Sequence, residues 1–195
     1  MSAAARSVPR AHTRRDAVLA FGAVAAGVLV LLARPFVAGS ADARTALFAA
    51  SYVAIGGASL AVAVPCTAPR ARPVIVGTVI AIGAVAIVIA GILTGPAIPA
   101  PASAAALPLA VLAAVAEEAL FRRLAFGRLE RFGAAVAIVG SAVLFALVHV
   151  PAYGTAALPV DLGAGLLFGW QRWAAGTWTA SAATHAFANV LAVLR

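Results

Sequence analysis

The sequence predicts an all-α protein, a polytopic transmembrane bundle of about seven helices. Three observations predict it. Apolar residues make up 64% of the chain and charged residues only 10%, against about 45–50% and about 25% in soluble domains. Mean hydropathy is +1.06. The apolar residues fall in long continuous runs, without the alternation that marks outer-membrane strands. The expected location is the cell membrane, multi-pass, with the lipid bilayer as one partner.

The runs follow in order. Residues 1–16 form a polar tail with Arg6, Arg10, Arg14 and Arg15, a signature of a cytoplasmic N-terminus. The apolar run 17–33 comes next. Thr13-Arg14-Arg15-Asp16 has a faint twin-arginine character, and Ala38-Gly39-Ser40-Ala41 is cleavage-site-like. The rest of the chain is itself membrane-embedded and needs no leader, so the run is read as a first transmembrane helix. A second span covers 45–64, bounded by Arg44 and Pro65. The turn after it holds Arg70 and Arg72 and is expected in the cytoplasm. The third span, 73–95, has the ~20 residues needed to cross ~30 Å. The uncharged, Pro-rich loop 96–101 is expected outside. The fourth span, 103–122, has Ser103 as a candidate N-cap, and Arg122, Arg123, Arg128 and Arg131 mark its cytoplasmic end. Residues 124–132 read as a short amphipathic helix in the interface. A fifth span, 132–150, is expected to stop at Pro151, with Pro159 keeping the following backbone irregular. A short sixth segment, 162–173, ends in the aromatic anchor Trp170-Gln171-Arg172-Trp173, and 177–194 is the seventh. The chain thus divides into a basic tail (1–16), N-terminal transmembrane helices (17–102) and a C-terminal core (103–195).

The net charge of +8 comes from fourteen arginines and no lysine. The arginines sit between apolar runs and read as topology signals, so no nucleic-acid partner is expected. Cys66 is the single cysteine, which excludes an intrachain disulfide and a cysteine metal cluster.

The informative residues are the polar ones inside the spans. Two of the three glutamates, Glu117 and Glu118, are adjacent, and the 44 residues before them, 73–116, carry no charge. An ionised group near the bilayer centre costs roughly 2.5–3.5 kcal/mol on insertion scales, so such groups are kept with partners or a function. His149 lies in the fifth span, and His185 with Asn189 in the seventh. Glu118 and Arg122 are four apart and share a helix face, as do Phe145 and His149, and His185 and Asn189. Each feature alone has a structural explanation: helix–helix hydrogen bonding for a histidine or asparagine, an interfacial anchor for a Glu–Arg pair. Together they suit hydrolysis. A carboxylate takes a proton from water, and histidine and asparagine donors stabilise an oxyanion. Alternatively, glutamate and histidine hold a divalent metal such as zinc that activates the water. One tension is depth. A helix from Phe132 to His149 rises about 26 Å, and Glu117 to Arg131 rises about 21 Å only if that piece is one helix. Tilt, or a fifth helix that starts inside the interface and ends at Pro151 within the protein, is expected to bring His149 and Glu117 together.

These residues resemble the three motifs of the CPBP family, the CAAX prenyl protease and bacteriocin-processing (Abi) intramembrane proteases. Glu117-Glu118-Ala119-Leu120-Phe121-Arg122 is similar to the pattern E-E-x-x-x-R. Phe145 to His149 is similar to F-x-x-x-H, and His185 to Asn189 to H-x-x-x-N/D. The resemblance covers about residues 103–194. It implies a metallo- or glutamic-type endopeptidase acting on membrane-embedded or membrane-associated peptides. In that pattern Glu117 is the general base, helped by His149. Glu118 is held by Arg122, and His185 and Asn189 stabilise the oxyanion. A metal, if used, would have Glu117, His149 and His185 as candidate ligands. One departure is Arg123, where the family usually has glycine. The rival readings are a transporter or channel using the same polar residues as an ion pathway, and an inactive scaffold. Nothing in the residues specifies a prenyl group on the substrate.

Overall fold

The computed structural model describes residues 14–64, 71–94 and 105–194. The tail before Arg14, Cys66, Arg70, the 96–101 loop and Ser103 lie outside the described residues. Among the described residues, seven main helices make up the fold and no strand occurs. They are α1 (Arg14–Ala33), α2 (Ala41–Ala61), α3 (Pro73–Thr94), α4 (Ala106–Glu118), α5 (Ala134–Tyr153), α6 (Leu158–Ala175) and α7 (Trp178–Leu194). Local chemistry sets several ends. The Ser40 hydroxyl accepts the Ala43 N–H at 3.3 Å and caps α2. Pro73 opens α3, where its missing N–H costs nothing. Gly176, at φ +63°, closes α6 in the left-handed conformation that glycine adopts without steric cost.

The segments Arg14–Phe36, Pro73–Leu93 and Ala134–Tyr153 are long and apolar enough to cross a bilayer. Their outward faces are stripes of large apolar side chains. Ile82, Val85, Ile89 and Ile92 line α3, and Val136, Val139, Val143 and Leu147 line α5. Faces of this kind are stable against hydrocarbon, not water. The protein is a membrane protein.

Three local expectations change. The fifth helix does not stop at Pro151 but runs through it to Tyr153. A proline in the last turn forfeits one ladder bond, and the Gly154 N–H closes the end on the Val150 carbonyl at 2.8 Å. Pro159 does not keep the chain irregular. It sits in the first turn of α6, where its fixed φ suits helix entry. Finally, α4 does not give way to a separate interfacial helix. It continues through a π-helical stretch (Ala119–Ala125), one more α-turn (Phe126–Leu129) and a 3₁₀ turn (Glu130–Phe132). Leu124, Ala125, Phe126 and Gly127 of that continuation are buried in the bundle.

The core gathers Leu31 of α1, Leu120, Phe121 and Leu124 of the π-helical stretch, Phe145 and Val148 of α5, and Phe168 of α6. Small residues set how closely helices approach. A Cβ on Gly165 of α6 would lie 2.9 Å from the Ala142 Cα of α5. Hydrogen bonds gather the basic ends. Arg128 Nη2 donates to the Asp16 carbonyl at 3.0 Å and the Ala63 carbonyl at 2.7 Å. The Ala71 N–H donates to the Ala175 carbonyl at 3.3 Å. The starts of α1 and α3 therefore share one end of the bundle with the ends of α2, α6 and the α4 continuation.

Candidate active site

Glu117 and Glu118 are the last residues of α4 before the backbone widens into the π-helical stretch, a deviation that recurs at functional sites. Because the helical path is continuous, Glu117 stands twelve residues, about 18 Å, from Leu129. His149 stands fifteen residues, about 22 Å, from Ala134. The two reach similar depth, which removes the mismatch that a broken helix would have created. Arg123, the departure from the family pattern, has a use of its own. Its Nη1 donates to the Ser59 carbonyl and, at 3.1 Å, to the Val62 carbonyl. It thereby caps the C-terminal end of α2 with a cation.

Glu118 is fully buried. Arg122 Nη1, also fully buried, lies 3.0 Å from its Oε1. Arg122 Nη2 donates to the Gly165 carbonyl at 3.1 Å, and its guanidinium sits 4.4 Å from the Phe145 ring centroid and 5.3 Å from that of Phe168. An ion pair this deep is costly to break from one side, about 3–5 kcal/mol. The same Glu118 Oε1 lies 3.1 Å from His185 Nδ1, so Nδ1 carries the proton of that hydrogen bond and Nε2 faces away from it.

Glu117 is 3% exposed, and its two oxygens face different partners. Oε1 lies 3.2 Å from Arg34 Nη1. Oε2 lies 3.7 Å from His149 Nε2 and 4.0 Å from His185 Nε2. His149 Nδ1 is 2.7 Å from the Phe145 carbonyl, which only accepts, so Nδ1 is the protonated nitrogen and Nε2 is free to accept in the neutral ring. Aromatic neighbours hold both imidazole planes. Tyr153 stacks on His149 with 13° between planes, and Phe168 stacks on His185 with 21°.

Glu117, Glu118, Arg122, His149 and His185 thus form one cluster built from α4, α5 and α7 and the π-helical stretch. Asn189 does not join it by a direct bond: its Nδ2 donates to the Ala110 carbonyl of α4 at 3.0 Å. Sequence reasoning missed four neighbours. Arg34, in the 3₁₀ turn after α1 (Arg34–Phe36), pairs with Glu117, so that glutamate has an arginine of its own as Glu118 has. The Tyr52 hydroxyl accepts from the same Arg34 nitrogen. Tyr153 covers His149, and Asp161, in the first turn of α6, lies within electrostatic reach of His149 and Glu117. Arg34 is 83 residues from Glu117, and no local spacing could connect them.

The candidate metal ligands Glu117, His149 and His185 do not fit a metal as they stand. No three His, Cys, Asp or Glu side chains among the described residues have the geometry of a metal site. The carboxylate that would bind the cation is already 3.2 Å from a guanidinium, which repels a second positive charge.

A helical membrane protein with two adjacent buried glutamates, each beside a histidine and an arginine, belongs to the class of membrane proteins with a polar centre inside the helix bundle. Residues 99–191 match the family model for type II CAAX prenyl endopeptidase Rce1-like proteins. This match, over a little under half of the chain, agrees with the resemblance of residues 103–194 to the CPBP family. The matched family is one of prenyl endopeptidases. No curated protein and no solved structure matches the chain.

Proposed function

We propose that this protein is an intramembrane endopeptidase that hydrolyses peptide bonds of membrane-associated peptides or proteins, with Glu117 as the general base. The observation that carries the reading is the pairing of Glu117 Oε2 with His149 Nε2 at 3.7 Å. That gap is too long for a direct hydrogen bond and suits a bridging water. A water there donates one O–H to Oε2 and the other to Nε2, leaving a lone pair for the scissile carbonyl. Proton transfer to Glu117 as the oxygen attacks is general-base catalysis. His185, anchored through Nδ1 on Glu118, presents Nε2 to the same space and, when doubly protonated, donates to the oxyanion. Asn189 is the second proposed donor, using the Nδ2 hydrogen not given to Ala110. The Glu118–Arg122 pair fixes His185 and takes no part in proton transfer.

Helices α1, α2 and α3 are proposed to wall the C-terminal core of α4 to α7, in which the proposed chemistry takes place. The chain is proposed to cross the membrane several times with the tail, 1–16, in the cytoplasm. The proposed water activation is written without a metal, because the Arg34 guanidinium stands 3.2 Å from the Glu117 carboxylate and repels a second cation. The test is cleavage of a membrane-peptide library that includes a prenylated CAAX peptide, by purified protein in lipid nanodiscs. Wild type should cleave at least one member, Glu117→Gln none, and a chelator should leave turnover unchanged. Near-wild-type cleavage by Glu117→Gln would end the base assignment.

A further inference from the structure

The region that matches the protease family begins at residue 99, yet one contact to the proposed base comes from far outside it. Arg34 follows α1 in a 3₁₀ turn whose second residue is Pro35, so its backbone entry is rigid. Its Nε donates to the Leu31 carbonyl at 3.3 Å, which fixes the root of the guanidinium. Its Nη1 holds two oxygens, Oε1 of Glu117 and the hydroxyl of Tyr52 on α2. The side chain is only 15% exposed. Four elements therefore meet at one guanidinium: the end of α1, the turn after it, the middle of α2 and the end of α4.

The division of the Glu117 carboxylate gives this contact its meaning. Arg34 occupies Oε1, and the two histidines face Oε2. A carboxylate on a rotatable χ3 presents either oxygen with broad angular freedom. Tethering one oxygen to a cation that is itself tethered twice leaves the other aimed at His149 and His185. Removing the tether frees the carboxylate to rotate away from the water, and a misplacement of about 1 Å at a reacting group can cost about 10²-fold in rate. Glu118 has the matching device in Arg122, so each glutamate is oriented by its own arginine. One arginine is four residues away and one arrives through the fold.

We propose that Arg34 is a positioning residue for the reaction, aiming Glu117 Oε2 at the water it activates, with Tyr52 steadying the guanidinium. This rests on the reading of Glu117 as the base. Arg34 acts through Glu117, so its loss lowers turnover and leaves substrate binding unchanged.

The experiment is steady-state kinetics in nanodiscs on the library member that wild type cleaves best, with melting temperatures for every variant. Arg34→Gln should lower kcat by about 10²-fold with KM unchanged. Arg34→Lys, which returns a cation to Oε1 without the fork, should recover part of the loss. Tyr52→Phe should lower kcat less than Arg34→Gln. In a Glu117→Gln background, Arg34→Gln should cause no further loss, because the group it orients is already gone. Full kcat in Arg34→Gln overturns the proposal. So does a raised KM at unchanged kcat, which would make Arg34 a substrate-binding group. If Arg34→Gln does not fold, Arg34→Lys and Tyr52→Phe decide: equal melting losses with unchanged kcat make Arg34 a structural anchor only. Inactive Glu117→Gln beside active Arg34→Gln removes this inference alone. Active Glu117→Gln, or a wild type that cleaves nothing, removes the underlying reading as well.

Discussion

Two neighbouring carboxylates in this chain differ more than their sequence suggests. Glu118 is sealed at 0% exposure between Arg122 and His185, while Glu117 divides its oxygens between Arg34 and two imidazoles. The difference predicts opposite signatures for the same isosteric change. Glu117→Gln keeps shape and loses the proton acceptor, so turnover should fall by roughly 10²–10⁴-fold. The fold should survive, because Arg34 keeps Tyr52 and Leu31 as partners. Glu118→Gln strands a fully buried guanidinium. It should lose stability on the scale of about 3–5 kcal/mol as well as activity. Turnover and melting temperature measured together separate the two, and equal melting losses would show that both glutamates are structural. Asn189→Ala should lower kcat more than it raises KM if its free N–H meets only the transition state. A pure stability loss would assign it to the Ala110 contact alone. Of these residues, the Glu118–Arg122 pair was legible from its four-residue spacing, whereas the Arg34–Glu117 pair joins positions 83 apart and belongs to the tertiary fold alone.

At the scale of the helices, the positions of the site depend on close approach. Gly165 lets α6 come against α5, and its carbonyl receives Arg122 Nη2. A leucine there would place Cβ 2.9 Å from the Ala142 Cα, against backbone that cannot yield by rotamer change. Overpacking of this kind costs about 1–3 kcal/mol, and it moves the carbonyl that steadies Arg122. Gly165→Leu should therefore lower the melting temperature and activity together. Arg123→Gly restores the family's usual residue but removes the cation from the last carbonyls of α2. It should cost about 1 kcal/mol of stability, seen as a lower melting temperature with turnover retained. An unchanged melting temperature would mean that the cap contributes nothing. Helix number and order were readable from the apolar runs, but the π-helical stretch was not. No residue type in Ala119–Ala125 demands it, and only packing against several helices at once selects it. Pro151 misled for a related reason: a proline reads as a stop, yet in a final turn it removes a single bond.

At the scale of the whole bundle, the described residues form a basic end and a nearly neutral one. Arg14, Arg15, Arg72, Arg128 and Arg131 cluster where α1 and α3 begin and the α4 continuation ends, joined by the Arg128 bonds to Asp16 and Ala63. The opposite end carries Ser40, the cap of α2, with Asp42 and Arg44 close in charge balance. The arginine-rich end is expected in the cytoplasm, because moving it across the membrane during insertion is disfavoured. The site lies about 18–22 Å from the basic end along α4 and α5, beneath the exposed Tyr153 at the end of α5. Substrate entry from the opposite end or from the bilayer is thus shorter than entry past the arginines. Both statements are tested by single cysteines in a Cys66→Ser background, with a membrane-impermeant maleimide on intact cells and on inverted vesicles. Arg131→Cys should label only in inverted vesicles and Ser40→Cys only in intact cells. Tyr153→Cys should label in the same preparation as Ser40→Cys, and substrate peptide should protect it. If Arg131→Cys and Ser40→Cys label from the same side, the helices cannot alternate through the membrane as their order in the bundle requires. If Tyr153→Cys labels with Arg131→Cys, the site opens toward the arginines, and a peptide would have to enter through the basic end.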